Sequence, residues 1–119
     1  MKNIKLNDAA KEIHSDCVEK GFYNDKREIG TLLMLIVSEL SEALEADRKN
    51  NHAIIGSLLD YSNPEVFEKY IKDTFEDEIA DTFIRLLDLV GYLDIDIDKH
   101  IQMKREYNKT RPHKHNKKY

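Results

Sequence analysis

Apolar residues recur every three or four positions over most of this chain, the spacing that puts them on one face of an α-helix. Leu6, Ala10, Ile13, Cys17 and Val18 keep that interval until Gly21 ends it. This predicts a first helix over about 8–20, with Asn7 or Asp8 as its N-cap. Asp25 is placed to cap a second helix over about 26–49. The apolar residues of this second helix, from Ile29 and Leu32 through Leu40, Leu44 and Ala46, cover more than half of its circumference. A helix that apolar is covered on several sides. Residues 50–62 then form a connection, with a short helical turn expected around Ile54 to Leu59. Asn63 followed by Pro64 is an N-cap with proline at the first helical position. A long third helix follows to near Leu93, with Asp73 as the place where it can break. The turn at Asp94 to Asp96 brings another capping acid, and a fourth helix covers about Ile97 to Lys109 before Pro112 stops it. The fold class expected is all-α: one four-helix domain over 1–119, with a basic tail from about 110.

Composition narrows this picture. Four Gly and two Pro in 119 residues leave little material for anything but helices and short connections. Cys17 is the single cysteine, which excludes an intrachain disulfide and a cysteine zinc cluster. Its place in an apolar pattern predicts a buried, reduced thiol. The longest apolar run, Leu32 to Val37, is far too short to cross a bilayer, and residues 1–8 alternate polar and apolar types rather than forming a leader. A cytoplasmic protein with no membrane partner is the expectation. The net charge of −4 hides an asymmetry: residues 99–119 hold eight Lys or Arg against one acid, while residues 1–98 carry a net −11. So acidic a body repels a nucleic-acid duplex, and no RNA-binding motif is present.

Acids three residues apart are frequent here, and most such pairs lie on solvated faces. Two pairs differ in the direction the helix turns them. At 100° per residue, Glu39 falls inside the apolar arc of the second helix, and Glu42 falls at its rim. On the third helix Glu78 projects beside Ile71 and Leu89, with Asp81 at the margin. A carboxylate withdrawn from water needs a positive partner. Oxygen-only ligands favour a hard divalent cation, Mg²⁺ or Mn²⁺. A di-iron bundle needs Glu-x-x-His, and neither pair has histidine at that offset. Arg85, one turn beyond Glu78 and Asp81, is placed to neutralise them.

With these residues in view, Glu39-Leu-Ser-Glu42 and Glu78-Ile-Ala-Asp81 resemble the ExxE…ExxD signature of the MazG-like all-α nucleoside triphosphate pyrophosphohydrolases. Lys104-Arg-Glu-Tyr-Asn108-Lys-Thr-Arg111-Pro112 resembles that family's K…N..R segment. The resemblance covers nearly the whole chain. It implies a four-helix bundle completed by homo-oligomerisation, as a homodimer or homotetramer. It implies Mg²⁺ on Glu39, Glu42, Glu78 and Asp81, and phosphate contacts from Lys104, Asn108 and Arg111. It further implies base contacts from His14 and Tyr23, with Phe22 as the neighbouring aromatic. The 35 residues between Glu42 and Glu78 are more than most relatives have, and the extra length falls in Asn50 to Lys72.

The reaction expected is attack of water between the α- and β-phosphates, giving NMP and pyrophosphate. Glu39, deepest in the apolar arc, is the residue assigned as general base, because desolvation raises a carboxylate pKa. It can serve as ligand or as base, not freely as both. On the residues alone, His14 is equally a satisfied core histidine, Asp88 is unassigned, and the basic residues of 104–111 equally suit a helix C-terminus. Two other functions fit the same pattern: a non-catalytic nucleotide- or metal-binding regulator, and a helical interaction protein with a basic tail.

Overall fold

The computed structural model describes residues 5–56 and 59–112, and these described residues form five α-helices: α1 (Leu6–Glu19), α2 (Ile29–Arg48), α3 (Pro64–Tyr70), α4 (Phe75–Tyr92) and α5 (Ile97–Thr110). The all-α class is as expected, and among the described residues no helix is long and apolar enough to cross a membrane. The expected third helix is two. Asp73 adopts φ 66°, and this left-handed residue breaks the α-helical run between α3 and α4. Thr74 then caps α4 by accepting from the Asp77 N–H. Asn63 and Asp96 cap α3 and α5 through their side chains, as the sequence predicts. Ile54 to Gly56 and Leu59 of the expected turn are not helical; residues 57–58 lie outside the described residues, as do His113, His115, Lys117 and Lys118 of the basic tail.

The first two helix starts differ from expectation. α2 begins at Ile29, and its N-cap Glu28 makes no side-chain bond, so Asp25 stands outside the helix. α1 begins at Leu6, two residues before the expected start, and its own N-cap position, Lys5, supplies no side-chain acceptor. The acceptor comes from across the fold. Asp98 takes the Leu6 N–H at 2.7 Å and the Asn7 N–H at 3.3 Å. Asn7 returns the contact: its Oδ1 accepts from the Asp98 N–H at 3.2 Å, and its Nδ2 donates to Asp96 at 2.9 Å. The N-termini of α1 and α5 cap each other.

α4 lies between α1 and α2, and α5 packs chiefly on α1. The α1–α4 approach requires Gly91. A Cβ there would stand 2.6 Å from the Ala10 carbonyl oxygen and 2.7 Å from the His14 Cβ. Leu32, Ile36 and Leu89 form the centre of the α2–α4 seam, with Phe22 packed against it. The core is thin: among the described residues no large side chain is fully buried. Met34, Val37 and Leu44 on α2, with Phe83 on α4, are about half exposed or more.

Candidate metal centre

The α2–α4 seam is apolar at Leu32, Ile36 and Leu89 and acidic further along. Helical spacing turns Glu39 toward α4, and Glu78 and Asp81 toward α2. Carboxylate oxygens of Glu39, Glu78 and Asp81 lie within 4.8 Å of one another. Glu78 is 3% exposed, and its Oε2 is buried with no hydrogen-bond partner. Its pKa is pushed up from 4.5 to about 8, first by burial and then by Glu39 and Glu42. Asp81 is raised too, by burial foremost and by Asp77 and Glu39, against the lowering pull of Arg85. Arg85 donates from Nε to Glu39 Oε1 at 2.8 Å, so the acid it pairs with is Glu39 rather than the expected Glu78 or Asp81. Glu42 is exposed and stands outside the tight group of three, although its carboxylate acts on Glu78.

These residues fit a hard divalent cation on chemical grounds. The donors are all carboxylate oxygens, and one is an orphaned buried atom, which costs about 1–3 kcal/mol or more when nothing satisfies it. Glu39, Glu78 and Asp81 are the residues that would hold the ion, with Glu42 at the margin.

Next to the acids, a cavity of about 440 Å³ has Glu39, Asp81, Arg85, Phe22, Ile84 and Asp88 among its lining residues. Asp88 is the residue whose role the sequence leaves open. It is 5% exposed, and it organises its surroundings. Tyr23 donates its hydroxyl to Asp88 Oδ2 at 2.6 Å, and His14 Nδ1 meets Asp88 Oδ1 at 2.9 Å. The carboxylate makes His14 Nδ1 the hydrogen-bearing nitrogen. Burial, followed by the hydrogen bond to Asp88, pushes the Tyr23 phenol well above its ordinary range. Cys17 is half-buried rather than buried, and its thiol is raised by desolvation and then by the Asp88 charge, which leaves it a poor nucleophile.

The Tyr23 hydroxyl and the His14 Nδ1 are therefore both engaged by Asp88. Their rings pack edge to face at 4.7 Å, and Tyr23 stacks on Tyr92 at 4.7 Å. Neither lines the cavity, whereas Phe22 does. Arg27 holds Phe22 from behind, with its guanidinium 4.1 Å from the ring centre and its Nε donating to the Phe22 carbonyl at 2.6 Å. A signal for Asp88 exists in the sequence, since it lies seven residues beyond Asp81 and so on the same helix face. Nothing in the spacing identifies His14 and Tyr23 as its partners.

Lys104, Asn108 and Arg111 are exposed on α5, and none of them lines this cavity. Lys104 and Arg111 flank the Tyr107 ring instead, at 5.2 and 5.9 Å. Within one chain, the basic segment and the acids are not brought together in this cavity. Compared with known proteins, the chain matches no family model, no curated protein and no solved structure.

Proposed function

We propose that this chain is a Mg²⁺-dependent nucleoside triphosphate pyrophosphohydrolase of the MazG-like kind, cutting (d)NTP into (d)NMP and pyrophosphate. The observation that carries the reading is Glu78: a buried carboxylate with an unpartnered oxygen, grouped with Glu39 and Asp81, beside a cavity large enough for a nucleotide fragment. A bound divalent cation supplies charge to the phosphate oxygens and lowers the pKa of water. The chain's own residues do the rest. Arg85 keeps the Glu39 carboxylate oriented at the cavity edge. Phe22 offers an apolar ring to a base, and Asp88, with hydrogen-bond donors already on both of its oxygens, is a fixed part of the cavity wall. Glu39 is the residue we assign to accept the proton of the attacking water, which leaves Glu78 and Asp81, with Glu42 at the margin, to hold the ion.

The proposal includes a second copy of the chain, in a homodimer or homotetramer. A radius of gyration of 17.4 Å exceeds the about 13 Å of a compact domain of about this length. The exposed apolar residues of α2 and α4 give a partner copy its footing. In an oligomer, Lys104, Asn108 and Arg111 of one chain have a route to the acids of another.

One observation favours a non-catalytic nucleotide- or metal-binding regulator: the cations lining the cavity are Lys20 and Arg85, and Arg85 is already paired with Glu39. The two readings part in one experiment. Incubation of the purified protein with a panel of NTPs and dNTPs plus Mg²⁺, assayed separately for pyrophosphate and orthophosphate, is expected to yield NMP and pyrophosphate. Mg²⁺-dependent nucleotide binding without turnover would instead identify the regulator.

A further inference from the structure

Asp88 is a buried acid that the proposed chemistry leaves without a part. It is 5% exposed on α4, and it borders the same cavity as Glu39 and Asp81. α1 brings His14 Nδ1 to one of its oxygens, and the turn after α1 brings the Tyr23 hydroxyl to the other. Neither of these donors lines the cavity, whereas Asp88 does. The carboxylate is thus held in one orientation by groups that do not themselves meet what the cavity contains.

A carboxylate accepts through about four lone-pair sites, and the two bonds from His14 and Tyr23 occupy one on each oxygen. Capacity remains for a donor inside the cavity. Phe22 lines the same cavity, with the Arg27 guanidinium 4.1 Å from its ring centre. An aromatic ring to stack on and a fixed acceptor for the edge are the two means by which proteins read a nucleobase. Asp88 follows Asp81 by seven residues, which is about 10.5 Å along a helix that rises 1.5 Å per residue. That separation is comparable with the reach of an extended nucleotide from its phosphates to the edge of its base.

We infer that Asp88 sets the base specificity of the cavity: it accepts a hydrogen bond from the exocyclic amine of cytosine, adenine or guanine, and it disfavours uracil and thymine. The inference rests on the reading of this cavity as a nucleotide site. Cytosine and uracil differ at C4, where the first carries an amine and the second a carbonyl oxygen. The amine donates to Asp88. A carbonyl oxygen in its place meets a second acceptor, and neither group is satisfied. Sites that hydrogen-bond a substrate N–H reject the analogue lacking it, because the buried partner is left unpaired.

The test uses dCTP and dUTP, which share sugar and triphosphate. With Mg²⁺ and the full chain, kcat/KM for pyrophosphate release is measured for each, and Kd by calorimetry if neither is turned over. The parent should favour dCTP by at least about tenfold. In Asp88→Asn the ratio should collapse toward one, because an amide can turn its NH₂ to the uracil carbonyl. Histidine can present Nδ1 as an acceptor in its other tautomer, so this variant can keep both neighbours. Asp88→Ser, whose hydroxyl donates or accepts, should lower the ratio as well and guards against one variant that misfolds. Mn²⁺ bound per chain, counted from the electron paramagnetic resonance signal of the free ion, should match the parent in both variants. A changed count would put Asp88 at the ion instead of the base and overturn the inference. A role limited to tying α4 to α1 would weaken both nucleotides together and leave the ratio at the parent's value, which also overturns it. A parent that treats dCTP and dUTP alike, or prefers dUTP, removes the base assignment while pyrophosphate release still stands. Failure to bind either nucleotide removes the nucleotide reading itself.

Discussion

Glu78 combines two properties that rarely coexist without a ligand: it is buried among other carboxylates, and one of its oxygens has no donor. The protein without metal meets this by holding a proton. A carboxyl at about 8 in the fold, against 4.5 in the unfolded chain, binds its proton more tightly when folded. Its contribution to stability is therefore complete below about pH 4.5 and is lost as pH rises through about 8. Glu78→Gln imitates the neutral carboxyl. Without metal, this variant should melt at the parent's temperature near pH 5 and above it near pH 8.5, a difference that thermal circular dichroism checks. A cation must displace that proton, so the apparent Mg²⁺ affinity of the parent should rise about tenfold per pH unit below 8 and level off above it. Equal melting curves for parent and variant at both pH values would mean that Glu78 is not under this strain. Much of this is legible from the sequence, because 100° per residue already directs Glu39 and Glu78 inward and leaves Glu42 at a rim. Asp88 is not legible in the same way. Its burial is a matter of helix phase, but its partners His14 and Tyr23 lie 74 and 65 residues away, and local periodicity carries no information on such pairings.

The helices are placed by a few contacts between distant segments. Gly91 sets the α1–α4 distance, and Gly91→Ala tests it with two opposed effects. Alanine in a helix interior gains about 1 kcal/mol over glycine. Its Cβ would also press on the Ala10 carbonyl and the His14 Cβ, and backbone of a neighbouring helix cannot turn aside as a flexible side chain can. Overpacking of this kind costs about 1–3 kcal/mol. Because the obstacle is backbone, the upper end of that range applies, and urea unfolding should show a net loss of about 2 kcal/mol. A second fastening joins the end of α2 to the start of α4. His52 Nε2 meets Asp47 at 3.0 Å and Nδ1 meets Glu76 at 2.9 Å, while Glu76 also takes the Ala53 N–H at 2.7 Å. Both ring nitrogens face carboxylates, so the protonated ring is the form held, and the hydrogen bond to Glu76 leads the rise of its pKa above 6.5. Glu76 falls from 4.5 to about 2, chiefly through His52. A raised histidine stabilises fully below 6.5 and loses that contribution as pH climbs through its folded pKa; a depressed glutamate does so above 4.5 and loses it as pH falls through about 2. The clamp is complete between about pH 4.5 and 6.5. The melting temperature of the parent minus that of His52→Gln should be positive at pH 6 and shrink by pH 8.5. Low salt should enlarge the effect, since these groups are exposed. The sequence announces the Asn63 and Asp96 caps because each acceptor sits beside the helix it caps. It cannot announce Asp98 as the cap of α1, from 92 residues away, and so the start of α1 is misplaced by two residues.

Within one chain the basic segment of α5 does not line the acidic cavity, and the longest helix leaves apolar residues exposed, two features that the proposed oligomer would account for. Val37 and Leu44 lie seven residues apart on one face of α2, each 50% exposed, with Met34 at 62% one turn before Val37. Full burial of one such aliphatic side chain contributes about 1.5–3 kcal/mol, so half of that from each of several residues, in each of two chains, is enough to hold a dimer at micromolar concentration. Val37→Glu with Leu44→Glu places two charges per chain in the proposed interface, and neither residue touches the Glu39, Glu78 and Asp81 group by its position on the helix. Analytical ultracentrifugation should show the parent as a dimer or tetramer and the double variant as a monomer of about 14.0 kDa. If the basic segment of one chain serves the acids of another, monomerisation should also weaken nucleotide binding while the Mn²⁺ count per chain is retained. Arg111→Ala should give the same division: weaker nucleotide binding, an unchanged ion count and an unchanged oligomer, because arginine grips phosphate oxygens through paired hydrogen bonds that alanine cannot replace. A parent that sediments as a monomer at every concentration, yet hydrolyses NTP at full rate, would require α5 to reach the acids within one chain. Arg111→Ala would then lose activity with no assembly to explain it.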